Sequence, residues 1–165
     1  MYTITQATES DVQAIRALAE QTWWPTYTGI ISPEQIRYML DVIYNEETIG
    51  QQISNYEQTF LLLKEKDQPV AFAAYSVYDE QSTAYKLHKL YCLPITQGKG
   101  YGKALIDTVA DIALKQGASK LYLNVNRHNN AQRFYQKMGF VIEKEIDIPF
   151  GEFVLNDYVM AKSLI

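Results

Sequence analysis

The stretch LPITQGKGYGKALI, residues 93–106, constrains this chain more than any other. Glycine stands at every second position, at 98, 100 and 102. Ahead of it TAYKLHKLYCL (83–93) reads as a strand, and behind it residues 101–116 carry a helical period. A bare backbone between a strand and a helix presents several N–H groups where the helix dipole favours negative charge. Glycine lets a bulky anion come close and tolerates positive φ. The chain must therefore fold so that a βα junction carries an anion-sized turn, or else the glycines mark only a turn.

The identity of such an anion is bounded by spacing. A Walker loop needs G-x-x-x-x-G-K-[ST]; here Gly102-Lys103 is followed by Ala104, and Gln97 fills the first glycine slot. A dinucleotide fingerprint needs G-x-G-x-x-G in the first βα unit; here Leu105 takes the last slot and the loop lies past mid-chain. Magnesium-nucleotide and dinucleotide chemistry both fail.

The remaining elements follow from local rules. YTITQAT (2–8) alternates as a strand. Thr8 precedes a stripe of Val12, Ile15, Leu18 and Ala19, with Asp11 at the box position, and WWPTYTGIISPEQ is expected to break that helix. Ser32-Pro33-Glu34-Gln35 opens another helix, with Ile36, Met39, Leu40 and Ile43 inward, and a short one runs through Ile49 and Ile53. Residues 59–80 form two strands about a polar turn at Lys66–Pro69. In the helix after the loop, Leu105, Ile106, Val109, Ile112 and Ala113 face inward and Gly117 suits the cap. KLYLNVN (120–126) is a strand, residues 131–138 a helix capped by Asn130 and stopped by Gly139, and two strands close the chain. The order β-α-α-β-β-β-α-β-α-β-β is a mixed α/β layer fold in one domain, residues 1–165.

Composition excludes several classes. One cysteine leaves no intrachain disulfide and no cysteine-based zinc site. A net charge of -4 argues against a nucleic-acid partner. No apolar run is long enough to cross a bilayer, and the N-terminal residues lack a signal-peptide pattern, so a cytoplasmic setting is expected.

Two separated motifs resemble one family. Gln97-Gly98-Lys99-Gly100-Tyr101-Gly102 matches the Q/R-x-x-G-x-G/A loop of the GCN5-related N-acetyltransferases (GNAT superfamily), with the strand LYCLP ahead of it. NNAQRFYQKMGF (129–140) resembles that family's N-x-x-A-x-x-F/L-Y-x-x-x-G-F signature, and DYVMAKSL its closing strand. One position departs: where the family carries asparagine three residues before the alanine, this chain has His128, which shifts the expected contact to Asn129 or removes it. The resemblance implies the acyl-CoA N-acyltransferase fold, a mostly antiparallel, splayed sheet flanked by helices. It implies acetyl-CoA as co-substrate and no metal. The pyrophosphate would lie on the N–H groups of Gln97, Gly98, Lys99, Gly100, Tyr101 and Gly102. The pantetheine arm would pair with backbone around Leu90, Tyr91 and Cys92.

Acetyl transfer to an amine needs a neutral nucleophile, a donor for the thioester oxygen and a proton for the leaving thiolate. By resemblance, Tyr135 supplies that proton and contacts the cofactor, the alternative being an aromatic packed on a short helix. The resemblance implies the backbone N–H of Cys92 or of a neighbour as the oxyanion donor. His88 is the candidate base, with a hydrogen-bonded core histidine as its rival. Cys92 itself reads as a small hydrophobe and not as an acyl carrier. Tyr27 and Trp24 border the implied acceptor site, where they would hold an ammonium by cation–π contact or plug a helix–sheet junction.

QTWWPTYTGIISPEQ, NEETIGQQIS and DYVMAKSL also resemble the bacterial spermidine/spermine acetyltransferase branch. The implied partner is a small primary amine, polyamine-like, with no nucleic acid and no membrane; the homodimer is analogy alone. Protein N-terminal or lysine acetylation and a non-catalytic acyl-CoA-binding module stand as alternatives.

Overall fold

A computed structural model describes residues 1–79, 81 and 83–165. The strand expected to reach Glu80 ends, as far as it is described, at Val77, and Glu80 itself lies outside the described residues. The elements in chain order are β1 (Tyr2–Gln6), α1 (Val12–Tyr27), α2 (Pro33–Ile43), α3 (Glu46–Ser54), β2 (Thr59–Glu65), β3 (Gln68–Val77), β4 (Ala84–Cys92), α4 (Tyr101–Lys115), β5 (Lys120–Asn126), α5 (Ala131–Lys137), β6 (Val141–Phe150) and β7 (Phe153–Ser163). The strands form a seven-stranded sheet in the order β1-β2-β3-β4-β5-β7-β6. The β4–β5 pair is parallel; β1–β2, β2–β3, β5–β7 and β6–β7 are antiparallel. The chain divides into two compact units, Met1–Ser76 with Lys89–Asp107, and Val77–His88 with Thr108–Ile165.

In the first unit the β2–β3 hairpin turns at Lys66 and Asp67, with φ of 51° and 64°. Positive φ at both central residues matches the twist of a tight hairpin. The turn is therefore shorter than the sequence suggested, and Pro69 already lies in β3, opposite Lys64 at a bulge. Helix α1 packs on α2 and α3, and α3 on β2. Ile15, Ile36, Ile49, Leu62 and Phe72 are fully buried there. The capping signal at Ser32 acts as read, its Oγ accepting from the Gln35 N–H at 3.1 Å; at α3 Asn45 Oδ1 accepts from that of Thr48 at 2.8 Å.

One expectation fails. WWPTY does not break α1, which runs through Pro25 to Tyr27. Proline removes one N–H only, and here it falls in the last turn, where few bonds follow. Trp23, 5% exposed, anchors that turn in the core, and Thr28 closes it by donating its N–H to Trp24 O at 3.0 Å. The break comes at Gly29, φ 88°.

In the second unit β5 carries Leu121, Leu123 and Val125 on its buried face. It pairs with β4 over Ala84–Leu87 against Lys120–Leu123, while β4 itself continues to Cys92. The part of helix α4 from Thr108 on buries Val109 and Ala113 and is terminated by Gly117 at φ 91°, while Leu105 and Ile106 are buried in its first-unit part. The cap of α5 is one residue earlier than expected. Asn130 is already helical and makes no cap bond, whereas Asn129 Oδ1 accepts from the Ala131 N–H at 2.9 Å. A cap residue needs extended or turn geometry, which Asn130 has left behind. Among the described residues no helix is long and apolar enough to cross a membrane.

Candidate functional site

The glycine loop belongs to the first unit. After β4, Leu93–Gln97 makes a tight turn in which Thr96 Oγ1 donates to Leu93 O at 2.7 Å. Gly98 and Gly100 have φ of 85° and 79°, and a Cβ added at either would meet nothing within 4 Å. The glycines are thus required by backbone conformation, and the space beside them is open. Gly102 is an ordinary residue of the first turn of α4.

The N–H inventory narrows the expected donor set. Gln97 N–H donates to Pro94 O and Lys99 N–H to Thr96 O, each at 3.1 Å. The first helical bond of α4 is Ala104 N–H to Gly100 O, 3.0 Å. Among the described residues, the amides of Gly98, Gly100, Tyr101, Gly102 and Lys103 meet no acceptor. A helix N-terminus leaves such donors by construction, and here two left-handed glycines extend the set beyond the first turn. A diphosphate fits this arrangement in charge, donor number and room.

The side chains of the loop are held elsewhere. Lys99 Nζ pairs with Glu65 Oε2 at 2.8 Å, and the Tyr101 hydroxyl donates to the same oxygen. Those two bonds hold the Glu65 carboxyl below its usual range, Lys99 contributing most.

Beside the loop, Leu90, Tyr91 and Cys92 at the end of β4 are half-buried. Burial pushes the Cys92 thiol up to about 11, so it is a neutral thiol near pH 7 and a poor nucleophile. The Tyr91 hydroxyl lies 2.9 Å from that of Tyr27. Their rings join Trp23, Tyr44 and Phe72 in one aromatic cluster: Trp23–Tyr27 centroids are 4.4 Å apart, Trp23–Tyr91 5.7 Å and Phe72–Tyr91 5.8 Å. Tyr27 thus packs in this cluster at the end of α1. Trp24 is not part of this cluster; it follows Glu20 by one turn of α1, and that carboxyl is held low chiefly by Arg37. Trp23 joins the cluster and its neighbour Trp24 does not, because a helix sets neighbouring residues about 100° apart.

Sequence reasoning missed Lys89. It is 6% exposed, two residues before Tyr91. Its Nζ donates to Gln58 Oε1 at 2.5 Å and sits over the rings of Phe60 and Tyr44, 5.0 and 5.9 Å from their centroids. Burial draws its pKa down from 10.5 to about 7. A charged residue among the alternations of KLHKLYC gives no local sign of which face it takes.

The remaining candidates lie in the second unit. His88 is exposed on β4, which removes the core-histidine alternative. Asn129 uses its side-chain oxygen to cap α5. Tyr135, 9% exposed on α5, packs between Phe134 and Phe140 at centroid distances of 5.5 and 5.8 Å.

The sequence profile of the acetyltransferase (GNAT) family matches residues 16–140. The chain belongs to this family. This acetyltransferase is 29% identical to an uncharacterised N-acetyltransferase of Mycobacterium bovis, over 94% of this chain and 99% of that one. It is 28% identical to a spermidine N(1)-acetyltransferase of Thermoplasma acidophilum, over 88% and 90%. A [ribosomal protein bS18]-alanine N-acetyltransferase of Haemophilus influenzae is 32% identical over 58% of this chain and 62% of that one. Among solved structures, the PaiA N-acetyltransferase of T. acidophilum in complex with coenzyme A superposes with a TM-score of 0.86 at 25% identity, covering 99% of both chains. The acetyltransferase thus shares its fold with a protein seen holding coenzyme A, and its relatives include both a spermidine and a ribosomal-protein-alanine acetyltransferase.

Proposed function

We propose that this acetyltransferase moves the acetyl group of acetyl-CoA directly onto a primary amine of a small, polyamine-like molecule. The observation that carries the cofactor half is the set of amides at Gly98, Gly100, Tyr101, Gly102 and Lys103 at the start of α4, which meet no acceptor among the described residues. They receive the diphosphate, while backbone at Leu90, Tyr91 and Cys92 receives the pantetheine arm. The acceptor half rests on the cluster of Trp23, Tyr27, Tyr44, Phe72 and Tyr91, whose half-buried members Tyr27 and Tyr91 offer ring faces and hydroxyls to an alkyl ammonium. The likeness to a spermidine acetyltransferase supports the same choice.

Acetyl-CoA supplies a thioester. The chain's own residues then divide the work. The Cys92 N–H donates to the thioester oxygen as negative charge grows there. The amine nitrogen bonds to the carbonyl carbon, the C–S bond breaks, and Tyr135 gives its phenolic proton to the departing sulfur. The proton lost by the amine passes to solvent, with exposed His88 as its side-chain acceptor, and Tyr135 is reprotonated from water.

Thiol release from acetyl-CoA tests this reading against a panel of polyamines, amino acids, aminoglycosides and short peptides. Polyamine-dependent release supports it. Release with peptides alone moves the acceptor to a protein terminus or lysine, and no release with any amine favours a non-catalytic acyl-CoA-binding module.

A further inference from the structure

The loop that would hold the diphosphate contains three glycines within five residues, an expensive segment to order. Among the described residues, the side-chain hydrogen bonds that tie it to another element converge on one carboxylate. Glu65, the last residue of β2, accepts from Lys99 Nζ at 2.8 Å and from the hydroxyl of Tyr101, the first residue of α4. Tyr101 is itself buried, its ring edge-to-face with that of Tyr2 at a centroid distance of 5.2 Å.

A carboxylate in this place is an electrostatic oddity. Beside a site for two phosphates it would repel the ligand. Lys99 cancels that charge: its ammonium pairs with Glu65, while its backbone N–H donates to Thr96 O. Lysine in such a loop would otherwise be read as a phosphate contact.

We propose that Glu65 is a positioning residue for coenzyme A, fixing the first turn of α4 through Tyr101, and that Lys99 serves the diphosphate by neutralising Glu65 and not by touching phosphate. This rests on the reading that the diphosphate docks at Gly98–Lys103. It assigns the two residues roles that differ in a double-mutant cycle. If Lys99 only neutralises Glu65, its loss matters only while Glu65 is charged.

The experiment is calorimetric titration of coenzyme A into the wild type, Lys99→Met, Glu65→Gln, Glu65→Gln/Lys99→Met and Glu65→Ala, with urea midpoints for each. Binding of pantetheine, which lacks the diphosphate, is followed in parallel by amide chemical shifts. Lys99→Met weakens coenzyme A binding about fivefold, the upper range for an exposed ion pair. Glu65→Gln keeps an acceptor for Tyr101 and stays within about twofold of wild type, and the double variant recovers to its level. Glu65→Ala loses the tie and weakens coenzyme A binding at unchanged pantetheine affinity. An equal loss from Lys99→Met in both backgrounds overturns the inference, since it marks a direct phosphate contact. Equal weakening of pantetheine overturns it too, as general destabilisation. A wild type that binds coenzyme A no better than its variants removes this inference alone; a wild type that does not bind coenzyme A removes the parent reading with it.

Discussion

Tyr27 at the end of α1 and Tyr91 near the end of β4 share a hydroxyl–hydroxyl hydrogen bond of 2.9 Å, although 64 residues separate them. The bond joins the implied acceptor-facing helix end to the strand segment implied for pantetheine. Tyr27→Phe removes it while keeping the ring. With an acceptor in hand, steady-state kinetics should show a severalfold rise in acceptor KM, the scale of one hydrogen bond of about 1 kcal/mol, at unchanged coenzyme A affinity. An unaltered acceptor KM refutes the placement.

Tyr135→Phe removes a proton donor but keeps a packed ring between Phe134 and Phe140. Turnover should fall roughly 10²-fold or more, while calorimetry finds coenzyme A bound as before. Unchanged turnover refutes the acid role.

Lys89 makes stability depend on pH. Its folded pKa of about 7 lies below the ordinary 10.5, so between those values the unfolded chain binds the extra proton and stability rises with pH. Below about 7 both states are protonated and the cost of burying the charge is constant. Lys89→Met fills the same space without charge. Urea unfolding from pH 7 to 10 should show the wild type gaining on the variant by an amount on the order of a few kcal/mol. Parallel pH profiles would contradict the buried, depressed amine.

Gly98→Ala and Gly100→Ala meet no steric obstacle but must hold φ of 85° and 79°. Each should cost roughly 1–2 kcal/mol in urea unfolding, and coenzyme A affinity should drop as the amides re-aim. Gly102→Ala, in helical conformation, should instead be tolerated or mildly stabilising, since alanine is the better helix former.

Cys92 carries a thiol pushed up to about 11. Cys92→Ala should retain turnover, because the backbone N–H and not the sulfur is the proposed participant, and iodoacetamide at pH 7.5 should label the native protein slowly. Loss of activity in Cys92→Ala at intact stability would reopen the acyl-cysteine route.

The elements were legible because they obey local rules. Ser32 caps, Gly117 and Gly139 adopt positive φ, and the alternation of KLYLNVN matches its burial, all over a few residues. The glycine loop and the two family motifs likewise lie in continuous stretches. By itself, then, the sequence determined the family, the glycine backbone between β4 and α4, and an element order that differs from the observed one only in counting two helices before β2 where the structure has α1, α2 and α3. Tertiary structure decided the rest. It carried α1 through Pro25, because burying Trp23 outweighed one missing hydrogen bond, and it selected Trp23 over Trp24 for the aromatic cluster. It also buried Lys89 on Gln58 and brought Glu65 to Lys99 and Tyr101, 34 and 36 residues away. Those choices depend on which strand meets which loop across long separations, and no periodicity within a short window encodes that distance.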